Sequence, residues 1–177
     1  MINQKNQSFS SSDISGSYYL IYFGFTKCPD ICPATLIKLG RVLKLIRKMP
    51  EYHYMNLKCV FVSCDPDRDT PKRLKEYLKN FDDEIIGVTG ISNEDPELKS
   101  CMRSFKIYAN KIPLSNGEYS MDHTTITYLM DDENNYVDHL NPNLTEQEMA
   151  KAIVNRVLGH DYSKMKKRNQ KPENRIC

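Results

Sequence analysis

The sequence predicts an α/β fold with a central mixed β-sheet flanked by helices. A continuous apolar run, Tyr18 to Phe25, is followed after a short turn by apolar residues at helical spacing, and then by a second apolar run, Leu57 to Ser63. Strand, helix and strand in that order form a parallel, right-handed unit in nearly all cases. Further on, two short strand-like segments flank the turn Asp131 to Asn135, which is hairpin spacing and adds antiparallel strands. At 177 residues the chain suits one domain with a sizeable core.

The elements follow in order. Tyr18 to Phe25 is aromatic and β-branched with no polar alternation, the pattern of a strand buried on both faces. Two prolines, Pro29 and Pro33, break the run. From Ala34, Leu36, Leu39, Leu43 and Ile46 mark one helical face, with Lys38, Arg41, Lys44 and Arg47 on the others, and the helix stops before Pro50. Leu57 to Ser63 is the second buried strand. Thr70 and Pro71 read as an N-cap and a first-turn proline, opening a helix through Asn80. A short strand is expected at Ile85 to Val88 and a helix from Asp95-Pro96 to about Phe105. Thr124 to Met130 reads as a half-buried strand and Tyr136 to Leu140 as its hairpin partner. Thr145 to Glu148 is a capping box for a last helix ending at Gly159. Parallel units first, then an antiparallel hairpin closed by a helix, is the order of a thioredoxin-like domain, placed at residues 18–160. Residues 1–17, polar and rich in Ser and Asn, read as a disordered segment and not as a signal peptide. Residues 161–177 read as a solvated basic tail containing Lys164, Lys166, Lys167, Arg168, Lys171 and Arg175.

Composition narrows the function classes. Apolar residues are 40% and charged residues 27%, the balance of an ordinary globular domain. A formal net charge of +2 is too small to argue for nucleic acid. The longest apolar stretch, Tyr18 to Phe25, is far short of the roughly 20 residues that cross a bilayer. Contact of the basic tail with an anionic membrane surface is the minor alternative to a solvated one. Six cysteines in a chain this long do not read as a disulfide scaffold, and Cys59, Cys64, Cys101 and Cys177 are scattered.

Cys28 and Cys32 differ because they share one strand-to-helix turn. Residues i and i+4 fall on one face of a helical or turn backbone, so both sulfurs can reach a common point. The following helix N-terminus favours thiolate there. Two thiolates at one point suit a reversible disulfide or a soft metal ion. Among the four histidines, His53 and His160 read as surface residues and His139 as structural. His123 stands immediately before a predicted strand, beside Asp122, and a neighbouring carboxylate is the usual partner orienting a ligating imidazole. Spacing alone stops there. A CxxxC pair is a weak signal that also fits peroxide reduction or disulfide exchange, and a lone histidine before a strand is more often structural.

Three segments together carry more. Tyr22-Phe23-Gly24-Phe25-Thr26-Lys27-Cys28-Pro29-Asp30-Ile31-Cys32-Pro33 resembles the copper-binding loop of the SCO/SenC family. Val62-Ser63-Cys64-Asp65-Pro66-Asp67-Arg68-Asp69-Thr70-Pro71 is similar to that family's second signature, and Asp122-His123-Thr124-Thr125 with Tyr128-Leu129 to its third. They occur in the family's order and cover about Tyr18 to Leu158. The resemblance implies a thioredoxin-like, membrane-tethered metallochaperone, not an enzyme, in the mitochondrial inner membrane facing the intermembrane space. It would take one Cu(I) or Cu(II) from an upstream copper donor protein and deliver it to the binuclear copper site of cytochrome c oxidase subunit II. By that match Cys28, Cys32 and His123 are the metal ligands, with Asp122 in support. The alternative is a thiol–disulfide oxidoreductase acting on the cysteines of the oxidase subunit.

The sequence departs from the family pattern in three places. Lys27 stands where many members have His, a charge expected to lower the pKa of the neighbouring thiols. Cys64 occupies a position that is usually aliphatic and reads as a buried structural thiol more readily than as a fourth ligand. The N-terminal hairpin and membrane anchor of the family are read as missing, because the first predicted strand begins at Tyr18.

Overall fold

The structure is a computed structural model that describes residues 1–115 and 117–169. Its strands are β1 (Ile2–Asn3), β2 (Tyr18–Gly24), β3 (Leu57–Ser63), β4 (Ile85–Thr89), β5 (Ala109–Pro113), β6 (Tyr119–His123), β7 (Thr127–Met130) and β8 (Tyr136–His139). Its helices are α1 (Ile31–Ile46), the single turn α2 (Tyr52–Met55), α3 (Pro71–Leu78), α4 (Pro96–Ser104) and α5 (Glu146–Asn169). Six strands form one mixed sheet in the order β1-β4-β3-β2-β7-β8, while β5 and β6 form a separate ribbon. β2, β3 and β4 are mutually parallel, and β7 runs antiparallel to β2. This is the thioredoxin-like arrangement that the sequence predicts.

Strand β2 is buried along its whole length, because both faces of the sheet are covered. Successive side chains alternate between the faces. Tyr18, Leu20 and Tyr22 enter the core cluster under α1, α3 and α5, and Tyr19, Ile21 and Phe23 enter a second cluster with Phe9, Ile14 and Leu98. The predicted caps form as read. Thr70 Oγ1 accepts from Arg73 N at 3.3 Å, Asp95 accepts from Glu97 N and Leu98 N, and Thr145 and Glu148 cap one another. Among the described residues no helix is long and apolar enough to cross a membrane.

Four expectations need correction. Residues 1–17 are ordered: Ile2 and Asn3 pair antiparallel with Thr89 and Val88, Ile2 bridges Ser8, and Phe9 and Ile14 are buried. Two apolar side chains and one short edge pairing suffice to hold a segment whose composition is otherwise polar. An N-terminal turn of chain therefore precedes Tyr18. The β5–β6 ribbon has no counterpart in the predicted elements. The last helix does not stop at Gly159 but continues to Asn169, so that His160 and residues 161–169 of the expected tail are helical. Asp161 accepts from Tyr18, and Lys164 pairs with Asp131, Asp132 and Glu133, which anchors the added turns to the β7–β8 corner. Lys171, Arg175 and Cys177 lie outside the described residues.

Candidate metal centre

Parallel strands β2 and β3 deliver their following loops to one edge of the sheet, where α/β folds place their sites. Cys28 lies in the loop after β2, in a turn closed by its own N–H on Phe25 O at 3.2 Å. Cys32 lies in the first turn of α1, where Pro33 costs no hydrogen bond. His123 is the last residue of β6, on the ribbon that folds over this edge.

The three predicted donors converge. The sulfurs of Cys28 and Cys32 and a ring nitrogen of His123 all lie within 4.8 Å of one another, and no other His, Cys, Asp or Glu among the described residues joins them. Cys32 N donates to Cys28 Sγ at 3.4 Å, so the helix start does point a backbone N–H at one sulfur. Cys32 Sγ is 3.2 Å from His123 Nε2. His123 Nδ1 sits 2.9 Å from Thr124 O. A carbonyl only accepts, so Nδ1 carries the proton and Nε2 turns its lone pair toward the sulfurs, the tautomer a metal ligand needs.

That bond reassigns the orienting role expected of Asp122. Neighbouring residues of a strand point to opposite faces, and here His123 is buried while Asp122 is exposed. The imidazole is held by the Thr124 carbonyl instead, and by the edge contacts of its ring with Phe25 at 5.5 Å and Tyr22 at 6.4 Å between centroids. Burial pushes the His123 pKa below the ordinary histidine range, which keeps the ring neutral and ligating.

The expected lowering of the thiol pKa values is also overturned at Cys32. Burial pushes its thiol up to about 12, and the Tyr22 hydroxyl, donating to Cys32 Sγ at 3.5 Å, offsets only part of that. Lys27 is exposed and its amine lies 3.8 Å from Glu118, so its charge is directed to the ribbon and not to the sulfurs. Cys64 stays outside the cluster. Its sulfur donates to Gly24 O at 3.2 Å and burial raises its pKa, as for a structural thiol.

Several site-forming residues are given no role by the sequence reading, although most lie in the segments that carry the family resemblance. Gly24 is one: a Cβ there would lie 2.8 Å from Cys32 Sγ and 2.9 Å from the Phe61 ring, so only glycine lets the sulfur sit against the strand. Two buried carboxylates brace the surrounding loops. Asp69 accepts from Thr26 N at 2.8 Å, Thr26 Oγ1 at 2.6 Å and Ser63 Oγ at 2.7 Å, which ties the cysteine loop to the end of β3. Asp65 accepts from the Tyr119 hydroxyl at 2.7 Å and pairs with Arg68. The Arg68 guanidinium lies 3.6 Å from the centroid of the Tyr119 ring, which it covers, and donates to Tyr119 O at 2.6 Å. Tyr119 begins the strand that ends at His123, so this clamp holds the ribbon over the sulfurs.

Comparison with known proteins identifies the family. The SCO1/SenC family model matches residues 1–158. A SCO2-like protein of Rickettsia felis is 36% identical over 158 residues, covering 86% of this chain and 72% of the relative. The copper-bound crystal structure of ScoI from Arabidopsis thaliana superposes with a TM-score of 0.81 at 34% identity, covering 89% of this chain and 94% of the other. Copper-bound yeast Sco1 superposes with a TM-score of 0.77 at 33% identity, covering 97% and 92%. The chain belongs to the SCO1/SenC family.

Proposed function

We propose that this protein is a copper metallochaperone that holds one copper ion between Cys28, Cys32 and His123 and hands it to the binuclear copper site of cytochrome c oxidase subunit II. The observation that carries the reading is the convergence of two sulfurs and a correctly oriented imidazole nitrogen within 4.8 Å. Soft thiolates select Cu(I) over hard cations, and a trigonal set of two sulfurs and one nitrogen suits it. A structural zinc site would ordinarily be closed by a fourth protein ligand. Copper in the Arabidopsis and yeast relatives supports the choice of metal. Donation from an upstream carrier, and placement on the mitochondrial inner membrane facing the intermembrane space, belong to the same proposal. Relatives described as mitochondrial in Arabidopsis and yeast support it.

Delivery and not turnover is the role these residues support. The His123 ring is held by Thr124 and two aromatic rings with Nε2 against the Cys32 sulfur, a placement that disulfide exchange does not call for. The test is transfer: protein loaded with one equivalent of Cu(I) is mixed with the reduced soluble domain of oxidase subunit II. Copper should move to the acceptor from the native protein, and His123→Ala should fail to arrive loaded. Native protein that binds copper tightly yet never transfers it would refute delivery, and an unloaded native protein would refute the site itself.

A further inference from the structure

The last turns of α5 present an apolar face that nothing among the described residues covers. Leu158, Tyr162 and Met165 recur at helical spacing on one face, exposed by 40%, 60% and 62%. Lys166 flanks them, its amine 4.8 Å from the Tyr162 ring centroid. The opposite face is committed to the domain, through His160 and Asp161 on Tyr18 and Lys164 on the β7–β8 corner. The helix cannot roll to hide its apolar side. The family match ends at residue 158, where this segment begins.

Charge selects the occupant. From Leu158 to Cys177 the sequence holds Lys164, Lys166, Lys167, Arg168, Lys171 and Arg175 against only Asp161 and Glu173. A segment of this net positive charge, with Lys166 beside the apolar stripe, repels a second copy of itself and attracts an anionic interface. Tyrosine and lysine suit such an interface, since each buries an apolar body while keeping a polar tip in water. We propose that the outer face of α5 at Leu158, Tyr162, Met165 and Lys166 docks on an anionic lipid surface.

The docking face is remote from the metal site. α5 starts at the metal end of the sheet, because β8 ends at His139 opposite Tyr128, and the adjacent Thr127 pairs with Tyr22 near the end of β2. The docking face lies at the other end, where Tyr18 opens β2, about 20 Å away over seven strand residues. Cys28, Cys32 and His123 lie outside the docking face, so lipid contact would leave them uncovered. Lipid docking does not depend on which ion the site holds.

Co-sedimentation of the full chain with phosphatidylcholine vesicles, with and without phosphatidylglycerol, tests this directly. Binding is expected only to the mixed vesicles, and it should weaken as salt is raised. Lys166→Glu and the double variant Tyr162→Ser, Met165→Ser should each lower the vesicle affinity by roughly tenfold. Thermal melting and copper uptake of these variants, unchanged from the native protein, would exclude misfolding. Binding to both vesicle types alike, or binding that the variants leave intact, would overturn the proposal. A dimer in solution that the double variant dissolves, without vesicle binding, would assign the face to a second copy.

Discussion

Two regions of this molecule carry a pair of buried cysteines each, and only one of them is a site. The loop after β2 and the first turn of α1 hold Cys28 and Cys32, while β3 and the residue after it hold Cys59 and Cys64. Burial does not separate the pairs, since all four thiols are 9% exposed or less. Nor does acidity mark Cys32 out: burial pushes it and Cys59 alike up to about 12. What differs is the direction of the sulfurs. Cys28 and Cys32 leave a turn whose backbone aims both at one point, with an imidazole arriving from a separate ribbon. Cys59 points into the core under α1, and the Cys64 sulfur is occupied by the Gly24 carbonyl. A thiol becomes a ligand here through convergence and not through reactivity.

The comparison can be broken most sharply by removing one thiol at a time. Cys28→Ser or Cys32→Ser should lower Cu(I) affinity by more than about a hundredfold in a competition titration, beyond the range seen for residues that merely orient ligands. Equal losses from Cys59→Val would erase the distinction. Gly24→Ala comes next. Its methyl group would press on Cys32 Sγ and Phe61, so the denaturation midpoint should fall by an amount corresponding to about 1–3 kcal/mol, with weaker copper binding alongside.

The clamp on the ribbon gives a smaller effect of a different kind. Arg68→Met removes the ion pair to Asp65 and the bond to Tyr119 O, which frees the strand ending in His123. Copper dissociation should quicken by about tenfold or more while both sulfurs remain bound. An unchanged dissociation rate would show that the ribbon needs no clamp. Smallest of all is Cys64→Val. The Gly24 carbonyl still accepts from Cys64 N at 2.8 Å after the thiol is lost, so stability should change by less than about 1.5 kcal/mol and affinity hardly at all.

What could be read in the sequence follows from how strongly each segment is buried. β2, α1 and β3 announce themselves because both faces of β2 and one face of α1 must be apolar. The β5–β6 ribbon stays hidden because it lies off the main sheet and is largely open to water, leaving Asn110, Lys111, Ser120 and Asp122 where alternation would be sought. β1 is hidden by its length of two residues. The continuation of α5 past Gly159 depends on Tyr18 and Asp131, which lie far away in the chain, so a glycine that looks like a stop does not act as one. At the site, residue types and spacing left the reading open, and the resemblance to the SCO/SenC family named the three side chains that converge. Their orientation was not legible, because it rests on a backbone carbonyl, Thr124 O, that every residue type possesses.

X-ray absorption at the copper edge, on protein loaded with one equivalent of Cu(I), tests the shared ligand set most directly. The native spectrum should fit two sulfurs and one imidazole nitrogen, with the nitrogen contribution lost in His123→Ala and one sulfur lost in Cys28→Ser. A native spectrum of sulfur alone, or one unaltered by His123→Ala, would contradict it.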